Sequence, residues 1–211
     1  MTLVKESGKA EITQFDTATI AAKNFWRKLL AKPIGKSNLP LDYSLRHDQS
    51  NQTSAELQTA DAPAEKSISA ASFDIDVSLF ESIQRLSKGG HFLIYTIVTT
   101  GVHLCLHRYN DSGSVVTGSP ARSYHDVDFQ NALPIVSEIC SESSFKSLLL
   151  STRAQLLESY KHQEYSWQQI VDDFGLPRSK GCPLFDVAVS YDALHSSLPD
   201  QIKNDITVNI D

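Results

Sequence analysis

The sequence predicts an α/β (α+β) protein in which a mixed β-sheet is covered by helices. Three stretches alternate apolar and polar residues in the manner of half-buried strands, and between them apolar residues recur at helical spacing. Strands and helices are interspersed along the chain, with no internal repeat at a fixed period. This order favours a sheet with helices packed against it.

The chain divides into three parts by composition. Residues 1–44 form an N-terminal segment with one predicted helix over 16–32, which Pro33 ends. Residues 45–66 are rich in Gln, Ser, Thr, Asp and Ala and almost free of large apolar side chains, so we expect a polar linker or loop. Residues 67–211 carry the remaining elements and are expected to share one core.

Within the third part, the hydrophobic periodicity predicts strands and helices in alternation. The predicted strands cover residues 68–77, 114–118, 133–139, 184–191 and, more weakly, 206–210. The predicted helices cover residues 78–88, 92–109, 143 or 144 to about 163, and 166–174. Gly89-Gly90 is expected to end the first of these helices. The helix over 92–109 is apolar nearly all round, so we expect it in the interior.

Composition and charge exclude several classes of function. Nineteen basic residues against 25 acidic ones give a net charge of −6, which supplies no general surface for nucleic-acid phosphates. The longest apolar stretch, 91–109, is interrupted by His103, His107 and Arg108, so it is not expected to span a membrane. Residues 1–14 do not have the pattern of a secretory signal. We therefore expect a cytoplasmic protein without nucleic-acid or membrane partners.

Cysteine and histidine positions give weak signals. The three cysteines, Cys105, Cys140 and Cys182, are odd in number and far apart, which favours reduced and mostly buried thiols. His103 and His107 lie four residues apart on a predicted helix and could chelate a metal, but no third ligand is evident. We therefore predict a structural role for both and no metal site.

No catalytic motif stands out. His125-Asp126 resembles half of a catalytic relay, yet no serine lies in a Gly-x-Ser-x-Gly turn, so a loop pair is the favoured interpretation. Neither Gly-x-Gly-x-x-Gly nor a P-loop occurs, which gives no support for a nucleotide cradle. Trp26 and Trp167 are expected to anchor their helices in the core.

Several short stretches share one further pattern, and they occur in a fixed order. They are Phe25-Trp26-Arg27-Lys28-Leu29-Leu30, Leu39-Pro40-Leu41-Asp42, Leu106-His107-Arg108-Tyr109, Val115 to Pro120, Asn131-Ala132-Leu133-Pro134, His162 to Val171, and Pro183 to Tyr191. Together they resemble the condensation domains of nonribosomal peptide synthetases. That family has the chloramphenicol-acetyltransferase-like fold and couples aminoacyl and peptidyl thioesters held on carrier proteins. The residues that match structural positions of its motifs are Trp26, Tyr109, Pro120, Asn131, Trp167, Pro183 and Phe185.

The resemblance implies a C-terminal lobe without its catalytic partner. Catalysis in the family depends on an HHxxxDG motif in the first lobe, and these 211 residues contain no His-His pair. We therefore expect a non-catalytic platform or interaction module for a neighbouring adenylation domain or carrier protein. No cofactor is expected to bind directly, and the resemblance implies only the phosphopantetheine of a partner carrier protein. An apolar surface where the first lobe would pack is the physical corollary.

Two alternatives remain open at the level of the sequence. In the first, the chain is an acyltransferase that is active only when paired with a separately encoded condensation lobe or with a second copy of itself. His125 is then the first catalytic candidate. In the second, the chain is a recognition module for carrier proteins and performs no chemistry.

Overall fold

The computed structural model describes residues 4–31, 70–122, 131–176, 182–195, 198–199, 202, 204 and 206–210, with the side chains of the first helix described from Thr17 onward. The predicted linker over 45–66, Pro33 and the His125-Asp126 pair lie outside the described residues. The described helices are α1 (Val4–Leu30), α2 (Val77–Ser87), α3 (His91–Asn110), α4 (Phe145–Lys161) and α5 (Trp167–Asp173). The described strands are β1 (Ser114–Pro120), β2 (Ala132–Glu138), β3 (Val187–Tyr191) and β4 (Ile206–Ile210).

The four strands form one mixed sheet in the order β2-β1-β3-β4. β1 and β2 are antiparallel, with Pro120 opposite Ala132. β1 runs parallel to β3 at Gly118 and Ala188, and β3 runs parallel to β4 along its whole length. A mixed sheet covered by helices is the fold class that the sequence predicts, and it is confirmed.

Helices α3 and α4 cover one face of the sheet. Tyr95 and His103 of α3 contact Ser119 and Thr117 of β1, which point to the same side because they are two residues apart. Tyr160 of α4 contacts Ser119 as well. Gly118 points to the opposite face, so the two sides of β1 have different surroundings.

The predicted strand over 68–77 is wrong for its described part. Residues 70–76 are in no strand, and Asp76 instead caps α2 by accepting a hydrogen bond from the amide of Ser78 at 2.8 Å. Period-two alternation cannot make a strand by itself, since its backbone groups need a neighbouring strand. Apolar side chains of this segment and of α2 form an exposed surface that we call the α2 face. Its members are Phe73, Ile75, Val77, Leu79, Phe80 and Leu86.

The junction between α2 and α3 is sharp, as the two consecutive glycines predict. Lys88 adopts a left-handed conformation with φ 52°, and its amide donates to the carbonyl of Gln84. Gly89 follows with φ 71°, which glycine adopts without steric cost. Gly90 then starts α3 at once.

The first helix begins earlier than its apolar periodicity predicts. α1 starts at Val4 rather than near residue 16, because residues such as Ala10 and Glu11 are strong helix formers without being apolar. The C-terminal half of α1 packs into the main core, where Ala22 and Trp26 are buried. Lys23 forms an ion pair with Asp173 of α5 at 2.9 Å.

Two smaller predictions also need correction. Cys105 and Cys140 are exposed and only Cys182 is buried, because Cys105 lies on the outer side of α3 and Cys140 follows the end of β2. β3 begins at Val187 rather than at residue 184, because Val187 is the first residue that pairs with β4, opposite Ile206.

Within the described ranges, no helix combines the length and the apolar composition needed to cross a membrane.

Candidate functional site

A group of buried polar side chains joins α3, β1, α4 and the turn after β3. We call Tyr95, Ser119, Tyr160 and His195 the hydroxyl–imidazole cluster. The Tyr95 hydroxyl lies 2.8 Å from Ser119 Oγ and 3.0 Å from the carbonyl oxygen of Val189. The Tyr160 hydroxyl lies 3.1 Å from Ser119 Oγ and 2.8 Å from His195 Nε2.

The backbone fixes the direction of these hydrogen bonds. The amide of Tyr191 donates to His195 Nδ1 at 3.1 Å, so Nδ1 holds a lone pair and Nε2 carries the proton of the neutral ring. Nε2–H then donates to Tyr160, Tyr160 donates to Ser119, and Ser119 donates to the carbonyl of Pro120 at 3.0 Å. Both nitrogens of His195 are therefore engaged within the protein, which leaves neither one to take a proton from a substrate.

Burial keeps the cluster uncharged at neutral pH. It raises the pKa of Tyr95 to about 12 and raises the pKa of Tyr160 well above its ordinary value. Burial, and to a smaller extent the charge of Arg122, lowers the pKa of His195 to about 4. Two phenols that stay protonated and one neutral imidazole form a hydrogen-bonded structure rather than an ionic one.

Arg122 lies beside this cluster, with its backbone hydrogen-bonded to the side chain of Gln163. Its amide donates to Gln163 Oε1 at 3.0 Å, and its carbonyl accepts from Gln163 Nε2 at 3.1 Å. The guanidinium carbon lies 5.6 Å from the centre of the Phe92 ring and 5.7 Å from that of Tyr160. These distances are typical of cation–π contacts. The structure thus places a positive charge next to the neutral imidazole of His195.

A second imidazole is buried deeper between the same helices and the sheet. His103 Nε2 lies 2.7 Å from Thr117 Oγ1, and His103 Nδ1 lies 2.8 Å from Ser137 Oγ. Ser137 Oγ in turn lies 3.2 Å from Thr152 Oγ1 of α4. Burial lowers the pKa of His103 to about 4. This histidine therefore ties α3 to β1 and β2 as a neutral group.

His103 and His107 do not meet at a shared site. His107 Nδ1 donates to the carbonyl of Ser112 at 2.6 Å, which fastens the end of α3 to the turn before β1. No group of three His, Cys, Asp or Glu side chains in the described ranges is arranged to hold a metal ion. Each of the two imidazoles thus has its own hydrogen-bonding role.

Every hydrogen-bonding group of the Asn131 side chain has a partner within the protein. Its Nδ2 donates to the carbonyls of Gln163 at 2.7 Å and Tyr165 at 3.0 Å. Its Oδ1 accepts from the amides of Ala132 at 2.9 Å and Trp167 at 2.8 Å. Asn131 therefore fastens the start of β2 to the junction between α4 and α5.

Four more of the motif positions lie near this junction or on the neighbouring face of β1. The Trp167 ring lies 5.5 Å from the ring of Phe185 in a T-shaped contact, and Phe185 is fully buried against Gly118. Pro120 is buried at the end of β1, and Pro183 is half-buried shortly before Phe185. These are packing contacts, and none of them indicates a chemical role for the four side chains.

Trp26 joins the same region from α1. Its indole Nε1 donates to the carbonyl of His162 at 3.4 Å, and the neighbouring Phe25 ring lies 4.6 Å from the imidazole of His162. Tyr109 stands apart, exposed in the last turn of α3. His125, the first catalytic candidate, lies outside the described residues, so its role stays a prediction.

Sequence reasoning did not find the hydroxyl–imidazole cluster. Its members are separated by up to about 100 residues and carry no recognisable spacing. Tyr95 and Tyr160 occupy helical positions that an apolar aromatic could also fill. Ser119 is one of three hydroxyl residues in the short strand β1, so it gave only a weak signal of a buried hydrogen-bond partner.

A family model described as "Condensation domain" matches residues 11–209 of this chain. Surfactin synthase subunit 1 of Bacillus subtilis (strain 168) is 25% identical over 136 residues, which cover 61% of this chain and 4% of that protein. Tyrocidine synthase 3 of Brevibacillus parabrevis is 23% identical over 186 residues, which cover 84% of this chain and 3% of that protein. The chain therefore spans only a few per cent of the length of these curated relatives.

Solved structures give the same picture of the fold. The complex of the X-domain and OxyB from teicoplanin biosynthesis matches with a TM-score of 0.64 at 16% identity, over 86% of this chain and 38% of that chain. A variant starter condensation domain of rhizomide synthetase RzmA, in complex with C8-CoA and Leu-SNAC, matches with a TM-score of 0.54 at 17% identity, over 84% of this chain and 37% of that chain. At such identities the likeness concerns the fold alone.

Proposed function

Since this chain belongs to the condensation-domain family, we propose that it acts in a nonribosomal peptide synthetase as a non-catalytic lobe, serving as a structural platform or interaction module. The partner is a neighbouring adenylation domain or a carrier protein of the synthetase. The names of the relatives support this context, because surfactin synthase and tyrocidine synthase are synthetases of which this chain matches a small part.

The engagement of the buried imidazoles carries the proposal. His103 and His195 each have both ring nitrogens in hydrogen bonds within the protein. Neither one is placed to act as a general base toward an acceptor amine. In addition, the 211 residues contain no His-His pair, the feature on which condensation depends in this family. The chain alone therefore lacks a described group for that step.

The α2 face supports the role in binding. Phe73 is 85% exposed, Val77 70% and Leu86 68%, although all three are large apolar side chains. Exposed apolar residues concentrated on one segment mark interaction surfaces, whereas isolated ones are common on any protein. We propose that the partner domain packs on this face.

A binding assay with matched variants tests the platform role. The chain is titrated with a purified adenylation domain and, separately, with a phosphopantetheinylated carrier protein, and binding is followed by calorimetry. Leu86→Ser on the α2 face is expected to weaken binding about tenfold, the order of effect of losing one buried leucine at an interface. Leu150→Ser, which alters a leucine of α4 that is 56% exposed, is the control and is expected to bind normally.

A condensation assay tests the absence of catalysis. The chain is incubated with a donor acyl thioester and an acceptor aminoacyl thioester on their carrier proteins, and amide formation is followed by mass spectrometry. We expect no product above the uncatalysed background. Product formed by the chain alone would contradict the proposal.

The paired-lobe alternative is distinguished in the same assay. Addition of a separate lobe that bears HHxxxDG would generate product if this chain completes an active enzyme. His125→Ala would then remove the activity if His125 is the catalytic residue, and unchanged activity in that variant would exclude the assignment. Binding without product in all mixtures supports the platform.

A further inference from the structure

We propose that His195 is an acid-sensitive latch: it holds the turn at residues 191–195 against α3 and α4 while neutral, and its protonation opens this turn while the β1–β2 ladder stays folded. This device is independent of the proposed platform role, because it rests only on the surroundings of one imidazole.

The hydrogen-bond geometry requires the neutral ring. His195 Nδ1 accepts from the amide of Tyr191 at 3.1 Å. An amide N–H cannot give up its proton or rotate away, since it belongs to the backbone of the same turn. Protonation of Nδ1 would place its N–H directly against the N–H of the Tyr191 amide. The hydrogen bond between the imidazole and its own strand would then be lost.

The groups that face His195 add to this penalty. Arg122 supplies a positive charge from the segment after β1, where its backbone forms a bridge with His195. Tyr95 of α3 lies 4.5 Å from the imidazole, centre to centre, and Tyr160 of α4 receives the Nε2–H bond at 2.8 Å. Both phenols stay uncharged, so no anion among these groups compensates a charged imidazole.

His103 provides the internal contrast. Its partners are the hydroxyls of Thr117 and Ser137, which can rotate and present a lone pair to either ring nitrogen. Its protonation is opposed by burial in the centre of the protein, where opening requires separation of α3 from the sheet. His195 lies at the end of β3, beside the exposed Asp192 and Ala193, so a small movement brings it to water.

Among the described residues, the turn has a few other ties, one of which is the backbone bridge between His195 and Arg122. The amides of Leu194 and His195 donate to the carbonyl of Tyr191 at 2.9 Å and 3.0 Å, within the turn itself. Outward, the amide of Asp192 donates to the carbonyl of Ile210 at 3.3 Å, and the Tyr191 hydroxyl lies 2.9 Å from Nδ1 of His91. The imidazole of His195 is thus the side chain by which this turn reaches α4.

Amide hydrogen exchange tests the latch residue by residue. Protection factors of the Tyr191, Leu194 and His195 amides are compared with those of the β1–β2 ladder at about pH 7 and about pH 5. In the wild-type chain, we expect the protection of the turn to fall about tenfold or more relative to the ladder at the lower pH. In His195→Gln, whose amide side chain takes no charge, the ratio is expected to be the same at both values.

The control is His103→Gln, which is expected to keep the pH-dependent loss of protection at the turn. The latch is refuted if His195→Gln loses protection with pH as the wild type does, or if the turn of the wild type opens only together with the β1–β2 ladder. Should His195→Gln fail to fold, a wild-type NMR titration decides. The His195 ring and the Tyr191 amide must then report the same apparent pKa, and different values would overturn the proposal.

Discussion

At the scale of single residues, Gly118 decides how closely β1 approaches Phe185. A Cβ built at this position would lie 2.2 Å from Cε2 of the Phe185 ring, and this ring is fully buried. The side chain that would have to move is itself held by Trp167. Glycine is therefore required at position 118 because there is no room for a Cβ, and not because of a special backbone angle.

We expect Gly118→Ala to lower the free energy of unfolding by about 1–3 kcal/mol, the range of overpacked cores. Urea denaturation measures the change. Gly101→Ala is the control, because no atom lies within 4 Å of a Cβ at this helical position. That variant is expected to gain up to about 1 kcal/mol from helix propensity. A loss of stability in both variants would show that packing against Phe185 is not the cause.

His103 makes the stability of the protein dependent on pH. Its pKa is lowered to about 4 in the folded protein, against 6.5 for the free side chain. The unfolded chain therefore binds the proton more tightly, so stability is complete above about pH 6.5 and is lost as the pH falls toward about 4. The lowering corresponds to a loss of up to about 3 kcal/mol.

Urea unfolding of the wild type and His103→Gln at about pH 7 and about pH 5 measures this contribution. The variant is expected to be less stable at both values but to lose less stability between them. Gly101→Ala, which alters a position of the same helix where no atom lies within 4 Å of an added Cβ, is the control and should keep the wild-type difference between the two conditions. An identical difference in all three proteins would contradict the assignment to His103.

At the scale of elements, α5 depends on its cap. The helix has only 7 residues, too few to be stable by itself. Ser166 Oγ accepts from the amide of Gln169 at 3.2 Å, and the amide of Ser166 donates to Gln169 Oε1 at 2.9 Å. This reciprocal pair is a capping box. It fixes the start of the helix beside Asn131.

Ser166→Ala is expected to lower the free energy of unfolding by about 1 kcal/mol. Thermal unfolding followed by circular dichroism measures the loss. Ser141→Ala, in the exposed turn before α4, is the control and is expected to be neutral. Equal effects of the two substitutions would remove the cap as the explanation.

The elements also show what periodicity predicts and what it misses. The helices α2, α3 and α4 and the strands β1 and β2 lie within a few residues of their predicted positions. For α3, α4, β1 and β2 the periodic apolar residues are buried against the rest of the protein, whereas the apolar side chains of α2 are periodic but mostly exposed. The segment at 70–76 has the same alternation as a strand but no described partner. Sequence alone reports the pattern of side chains and does not report the neighbour that a strand requires.

At the scale of the whole molecule, the fold class followed from the order of elements, and the resemblance to condensation domains followed from short motifs in a fixed order. The hydroxyl–imidazole cluster did not follow from either. It depends on the meeting of α3, β1, α4 and the turn after β3, which brings together residues far apart in the chain. No local sequence pattern records which distant polar groups meet, so only the folded structure reveals such a cluster.

The sheet order described above also has a kinetic consequence. β1 and β2 are joined by a short connection, whereas Gly118 of β1 and its partner Ala188 are about 70 residues apart in the chain. Closing the larger loop costs more chain entropy. We therefore expect the β1–β2 pair and α3 to form the folding nucleus, with β3 and β4 added late.

Stopped-flow folding and unfolding rates test this order of events. Val116→Ala on β1 is expected mainly to slow folding, and Val189→Ala on β3 is expected mainly to speed unfolding. Both side chains are fully buried in the same core, so the two substitutions remove the same group from like surroundings. The β3–β4 half of the sheet would then be the half that leaves first when the native protein begins to unfold.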